Sequence, residues 1–511
     1  MTFLSKTKMA AAQLVASFVG ENVILQTTLV LLVVFVATSW FFNTPKNLPP
    51  GPRGWPIAGN IFSLATGHGF VTMTEWAKTY GPIYRIKLGN ETNVVLSGYD
   101  VIHEAMVKRG EDFSSRPSNA ILKFLNPEML GIVGAPFGTP WKEHRKFTLM
   151  SLREFGFGKR SLEGKILEES VSLQAEIMKM GDRPFDISLM VQNAVTNVIC
   201  SIVFGSRFAY NDEKFKRLMD ALDRGLSFNF FGQLAIFFPT LRRVPGLGRA
   251  PKMIQNDLVT IRAYLREEMD SHKKTFDPND IRDLIDSYVR ENKSRENDDE
   301  TTFTDDNTEW VLFDLFIAGA ETTSTTLNWA FLYMILNPDI QEKVQKEIHS
   351  VLGHDQRPST AHRAQMPYTE AVLTEVARIG SITPMGAFHA TSRDTSFHGY
   401  HIPEGTTVLT NLWSVHHDPE HFPNPGKFDP GRFLDSQGQY RRDDHVIPFG
   451  VGPRMCLGKQ LAEMELFVFF TSLLQHFTFK LPEGAAKPST TGISGVTHSP
   501  KNFELVAEPL A

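Results

Sequence analysis

The stretch that decides the fold is "PFGVGPRMCLGKQ", residues 448–460. It is a glycine-rich loop with one cysteine, Cys456, followed at once by an apolar helical pattern. The chain has 511 residues and only two cysteines. Two thiols cannot make a disulfide framework, which suits a reducing compartment, and Cys456 stands where glycines can hold the backbone close to a partner. The other thiol, Cys200, sits in the apolar run "TNVICSIVF" and reads as a core residue.

Outward from the loop, the C-terminal side is a helix expected over 457–477. The N-terminal side, "FDPGRFLDSQGQYRRDDHVI", has neither helical nor strand periodicity and reads as irregular. Before it, "SFHGYHIPEGTTVLTNL" alternates as strands around a Pro-Glu-Gly turn, and "PIYRIKL" and "NVVLSG" form a pair of strands about the turn "GNET". Most of 100–380 reads as helices. "ENKSRENDDETTFTDDNTE", residues 291–309, reads as a solvated acidic loop. The expected fold class is mainly α with a small β-rich part.

The N-terminus has its own composition. Val23–Phe42 holds no charge and is long enough for a helix across a bilayer, and it ends on the aromatic anchors Trp40, Phe41 and Phe42. "NLPPGPRGWPIAGN" follows, and its prolines make a stiff, extended spacer. The expected organisation is a lead over 1–22, a single membrane anchor over 23–42, a Pro-rich spacer over 43–60 and one folded domain over 61–511. Lysines and arginines flank the anchor on both sides, so charge alone does not orient it. A net charge of −5 gives no sign of nucleic-acid binding. The 39 phenylalanines against 10 tyrosines suit a large apolar interior or an apolar ligand.

The spacing Phe449-x-x-Gly452-x-Arg454-x-Cys456-x-Gly458 resembles the haem-binding signature of the cytochrome P-450 family. Ala318-Gly319-Ala320-Glu321-Thr322-Thr323, Glu375-x-x-Arg378, Pro430-Gly431-Arg432-Phe433 and Trp141-x-x-x-Arg145 fall in that family's order, and the likeness covers nearly the whole chain. Gly431 departs from the polar residue usual there. The resemblance is closest to the microsomal animal group that hydroxylates drugs, fatty acids and steroids.

This resemblance implies a P-450 fold behind the anchor, haem b (iron protoporphyrin) with an axial thiolate from Cys456, and a monooxygenase reaction. Thiolate ligation suits the chemistry, because the electron-rich sulfur favours O–O cleavage. Glycines 450, 452 and 458 are expected to bring N–H groups to that sulfur. By the same likeness Trp141, Arg145, Arg116, His389 and Arg454 hold the haem propionates, with Phe449 beside the ligand. Ala318 and Gly319 leave room above the cofactor, Thr322 relays protons and Glu321 is its neighbouring acid. Glu375, Arg378 and Arg432 form a structural triad.

The likeness also maps substrate contacts to Phe124, Leu125, Ile132, Phe137, Phe228, Phe230, Phe231, Phe237, Ile317, Ala318, Ile382, Met385, Ile493 and Val496, a largely apolar set. The segment 227–248 reads as an interfacial patch through its phenylalanines with Arg242 and Arg243. The chain carries no strand–GxGxxG–helix unit, so NADPH enters only through a partner reductase, with cytochrome b5 as a second donor. Lys142, Arg145, Lys146, Arg454 and Lys459 are the expected docking patch. The location implied is the endoplasmic reticulum membrane, with the domain facing the cytosol. Two other readings stay open at this point: a haem protein that carries or senses a ligand without turnover, and a haem-thiolate isomerase or dehydratase.

Overall fold

The computed structural model describes residues 27, 28, 31, 47–65, 67–156, 160–226, 235–236, 238–244 and 246–510. The expected anchor over 23–42 lies outside them except for Thr27, Thr28 and Leu31. No helix among the described residues is long and apolar enough to cross a membrane.

The principal helices are α1 (Gly69–Tyr80), α2 (Thr139–Glu154), α3 (Arg160–Met178), α4 (Ser188–Val203), α5 (Glu213–Leu226), α6 (Arg249–Thr275), α7 (Leu284–Ser294), α8 (Asp305–Leu336), α9 (Pro338–Leu352), α10 (Pro367–Gly380) and α11 (Lys459–His476). A four-stranded sheet stands to one side. It contains β1 (Ile83–Leu88), β2 (Glu91–Ser97), β3 (His389–Ala390) and, beyond β4 (Thr395–Phe397) and β5 (Tyr400–Ile402), β6 (Thr407–Asn411). The order is β1-β2-β6-β3, antiparallel except for the parallel β2/β6 pair. β4 and β5 form a hairpin, and a late pair joins β7 (Phe477–Lys480) to the C-terminal strand Val506–Pro509.

The core is organised by α8. The Thr304 hydroxyl caps it by accepting from Asn307 N–H, and Asp305 and Asp306 in its first turn favour the helix dipole. Its 32 residues give a length of about 48 Å. Beyond that polar start it buries apolar residues on every side, including Val311, Phe316, Leu327 and Phe331, as a central helix must. It lies so close on α4 that a Cβ at Gly319 would stand 3.0 Å from Ile199 Cγ1. The small residue read as room above a cofactor is therefore first a requirement of helix crossing. Cys200 on α4 is fully buried in this core, as expected.

Three expectations change. The acidic segment 291–309 is a loop only in its middle, because α7 continues to Ser294 and α8 begins at Asp305. Glu309 is buried there, paired with Arg262 and Arg266. The Pro-rich stretch is no free spacer from Pro49 onward. Arg85 N–H donates to Pro50 O at 2.7 Å and the Arg85 side chain to Pro49 O at 2.9 Å, so an unpaired edge of β1 is covered by these residues. Helix α11 starts at Lys459, two residues after the expected Leu457.

Candidate active site

A cavity of about 640 Å³ lies between α8, α11, α2 and the cysteine loop. Cys456, Phe449, Arg454, Trp141, Arg145, Arg116, His389, Ala318, Gly319 and Thr322 all line it. Glu321 alone of the expected site residues does not. Its carboxylate accepts from Thr497 Oγ1 at 2.7 Å and Thr325 Oγ1 at 3.3 Å, and burial pushes its pKa up. The Thr322 hydroxyl donates to Ala318 O at 2.9 Å, a back-bond that helical threonines make when no better acceptor is near.

The loop is built to present the thiol. Cys456 N–H donates to Phe449 O at 2.9 Å and Gly450 N–H to Ile447 O at 3.0 Å, which closes the chain on itself. The Cys456 side chain is accessible at the cavity wall. Burial raises the thiol's pKa, while the N–H groups of Gly458 and Lys459 and the charge of Arg145 oppose that rise. A metal cation would complete the deprotonation. Of the three glycines expected at the sulfur, Gly458 is there, its would-be Cβ 3.9 Å from Sγ. Gly452 serves another contact. It has φ +81°, and a Cβ would run into the carbonyl of Met106, so it allows the loop to dock on the helical segment before Arg109. Gly450 has φ +68° with open space around it.

Three guanidinium groups line the same cavity. Arg454 donates to Ser114 O, Ile132 O and Ala135 O at 2.8, 3.0 and 2.6 Å. Arg116 donates to Val133 O and Phe388 O at 2.7 and 2.5 Å, and Arg145 to Met455 O at 2.5 Å. Trp141 Nε1 donates to Ile132 O at 3.2 Å, and its ring lies beneath Arg454, 4.0 Å away. Burial lowers the pKa of all three arginines, and for Arg454 the charges of Arg116 and Arg145 add to it. This excess of buried positive charge fits a group with two carboxylates, as haem has. His389 Nδ1 bonds Phe113 O at 3.1 Å, and burial beside Arg116 and Arg454 keeps the ring neutral. Its Nε2 can donate to an anion only as imidazolium, which a bound carboxylate would favour.

Asp314, one turn before Ala318, was not among the expected site residues. Its Oδ2 accepts from Ile132 N–H at 2.7 Å and Val133 N–H at 2.8 Å. The carbonyls of those same residues hold Trp141, Arg454 and Arg116, so one carboxylate sets the whole anion-facing loop. Glu465 on α11 is a second unexpected acid, buried against Thr323 and pushed up to about 8. A lone acid in an apolar helical run ("VLFDLF", "MELFVF") was the available signal for both.

Of the expected substrate contacts, Ile132, Ala318 and Ile382 line the cavity, joined by Ile199, Leu315 and Leu412. Ile317 packs instead against Phe215 and Met219, and Ile493 and Val496 are exposed. Phe124 lies under Arg242, and Phe228, Phe230, Phe231 and Phe237 fall outside the described residues. Phe238 is half-buried near Gly89, and Arg242 bonds Ala235 O, so this part of the interfacial patch packs on the domain. The expected basic patch is also divided. Lys142 and Lys146 are exposed, whereas Arg145 and Arg454 turn into the cavity.

The triad forms as expected. Arg378 and Glu375 are fully buried and make a two-pronged pair at 2.6 and 2.8 Å, with Arg432 3.5 Å from the same carboxylate.

A profile of the family described as Cytochrome P450 matches residues 49–507. The chain is 41% identical over 480 residues to "Cytochrome P450 2U1" of Rattus norvegicus, covering 90% of each chain. It is 39% identical over 502 residues to the Homo sapiens protein of that name, covering 93% of this chain and 92% of that one. It is 40% identical over 489 residues to "Cytochrome P450 2J2" of Homo sapiens, covering 95% and 96%.

Proposed function

From the premise that this chain belongs to the cytochrome P450 family and is a P450 monooxygenase, we propose that it inserts one atom of O2 into a lipophilic small molecule, a fatty acid, steroid or xenobiotic. The observation that carries this reading is the one cavity shared by the Cys456 thiol, the three buried guanidiniums and the small-residue stretch of α8. Haem bound there through a thiolate supplies the oxygen chemistry.

The chain's own residues do the rest. Cys456 holds the iron, and N–H donation from Gly458 and Lys459 moderates its donor strength. Arg116, Arg145 and Arg454 hold the two carboxylates, His389 joins them as imidazolium, and Trp141 fixes the plane on which Arg454 rests. Ile199, Leu315, Ala318 and Ile382 exclude water and favour an apolar substrate. The Thr322 hydroxyl turns from Ala318 O to hold a proton at Oγ1, facing the cavity. Glu321 is a proton reserve that reaches Thr322 through water, since its direct partners are Thr325 and Thr497.

Electrons come from an NADPH-dependent reductase, with cytochrome b5 as a second donor, docking on the surface that carries Lys142 and Lys146. The enzyme sits on the cytosolic face of the endoplasmic reticulum, anchored by residues 23–42. Full-length protein supplied with reductase, NADPH and a panel of the three substrate classes tests the reading. Oxygenated product is expected from at least one class, and Thr322→Ala should bind that substrate yet release the electrons as peroxide. No product from any class would refute the substrate proposal. Coupling in Thr322→Ala equal to the parent's would remove Thr322 from the proton path.

A further inference from the structure

A second cavity, of about 260 Å³, opens where the middle of α3 and the end of α11 meet the loop that follows α9. It shares no residue with the cavity at Cys456. Two buried polar atoms on its walls find no partner within the protein, the Ser170 hydroxyl on α3 and the Gln475 amide oxygen on α11. Their residues are 1% and 2% exposed. A buried polar group without a partner is costly, so two of them in one cavity point to a ligand.

We propose that this cavity binds a neutral, polyhydroxylated small molecule the size of a monosaccharide, held by Ser170 and Gln475. The Gln475 amide cannot turn round to satisfy itself. Its Nε2 donates to Gly353 O and Gln356 O, both at 3.0 Å, and to His354 O at 3.5 Å, so Oε1 is fixed as the free end and can accept but not donate. A helical serine or threonine with no better partner bonds the carbonyl one turn back, as Thr322 and Ser324 do, and Ser170 does not. A ligand hydroxyl can donate to Gln475 Oε1, and Ser170 Oγ can pair with either end of a hydroxyl.

Charge favours a neutral ligand. The titratable side chains at the cavity, Asp355, Arg357, His354 and His476, are all exposed. Asp355 and Arg357 offset each other, and an ion inside would lack a buried counter-charge. Leu167 and Val171 supply an apolar wall on which the C–H face of a ring can lie. The volume exceeds what a single water needs and falls below the ~300 Å³ at which drug-sized pockets begin.

The walls are fixed ahead of any ligand. Gln174 Nε2 donates to Ser472 O at 3.3 Å, which ties α3 to α11, and His349 Nε2 bonds Gln475 O at 3.1 Å. Helix α11 begins at Lys459, just after Cys456, and a ligand here would tie its far end to α3 and to the loop after α9. Binding therefore stabilises the haem-loaded protein by mass action without touching the reacting atoms.

Haem-loaded full-length protein with myo-inositol as the probe tests this. Saturation-transfer NMR should show inositol bound with a Kd of about 1 mM, the affinity open to so small a ligand, while the haem absorption stays unchanged. Ser170→Ala removes one partner and an orphaned group together, so it should fold as the parent does and bind about 2- to 10-fold more weakly. Ser170→Leu fills the cavity and should abolish binding. Ser350→Ala, on the exposed side of α9, should bind as the parent does. Dioxane, which cannot donate to Gln475, should not bind. No transfer from the parent would mean that the cavity holds water alone, and it would overturn the proposal. Equal transfer with Ser170→Leu, or transfer to dioxane, would overturn it as well. Should Ser170→Leu fail to keep haem, Ser170→Ala decides, and an unchanged affinity there overturns the proposal.

Discussion

Replacing Asp314 separates two things that its carboxylate does. It accepts two backbone N–H groups on one oxygen, and it places a negative charge beside Arg116 and Arg454. Asp314→Ala orphans both donors. Ile132 is buried, so its N–H bears the full penalty, about 1–3 kcal/mol, while water can reach exposed Val133 at lower cost. The expected loss is about 2–4 kcal/mol, concentrated in the loop whose carbonyls hold Trp141, Arg116 and Arg454. Asp314→Asn keeps an acceptor oxygen and should cost under about 1 kcal/mol near pH 6.

The charge then appears in the pH dependence. Burial raises the Asp314 carboxyl from 3.8 to about 7, opposed by the two N–H groups and the arginines. A raised carboxyl stabilises the fold while it stays protonated, and that contribution is lost as pH rises from the unfolded value through about 7. The parent should therefore lose about 2–3 kcal/mol relative to Asp314→Asn between pH 5 and 8, at about 1.4 kcal/mol per unit. Urea titration followed through the haem absorption, at pH 5, 6.5 and 8, measures both effects. If Asn proves as damaging as Ala at pH 6, the acceptor role is wrong. If the parent and Asn curves stay parallel in pH, the raised carboxyl is wrong.

Cys456→Ser should lose the thiolate-type spectrum of the reduced carbon monoxide complex, and Cys200→Ser should keep it; an unchanged spectrum in Cys456→Ser refutes the ligand assignment. Gly452→Ala should accumulate little haem-loaded protein because its Cβ meets the Met106 carbonyl, whereas Gly450→Ala meets nothing and should lose only about 1 kcal/mol, the cost of its left-handed backbone. Haem content per chain distinguishes the two, and equal yields would contradict the close approach. Arg378→Lys should cost about 3–5 kcal/mol, since lysine cannot reproduce a buried fork that also bonds His416 O and Pro425 O. Arg432→Lys should cost less, because Arg432 is 3.5 Å from Glu375 and bonds one carbonyl, and a reversed order in urea titration would count against this account.

The sequence by itself determined whatever is local or set by spacing. The cysteine loop, the strand pair 83–97, helix α11 and the buried fate of Cys200 were legible from short-range geometry and hydrophobic period, and the pairing of Glu375 with Arg378 from the family likeness. The family likeness placed Trp141, Arg145, Arg116, His389 and Arg454 at one cavity, and the fold brings them there. Only the tertiary structure decided what depends on distant segments meeting. Arg145 and Arg454 turn inward because their acceptors lie on other elements, which removes them from the surface patch. Gly452 is required by Met106 and Gly319 by Ile199, contacts that no spacing encodes. Asp314 finds its N–H partners in the loop at 132–133, and Glu321 is drawn away from Thr322 by Thr497, far along the chain. A buried polar group takes the partner that packing supplies, and burial makes going without one costly. Its role is therefore fixed only when the chain has folded around it.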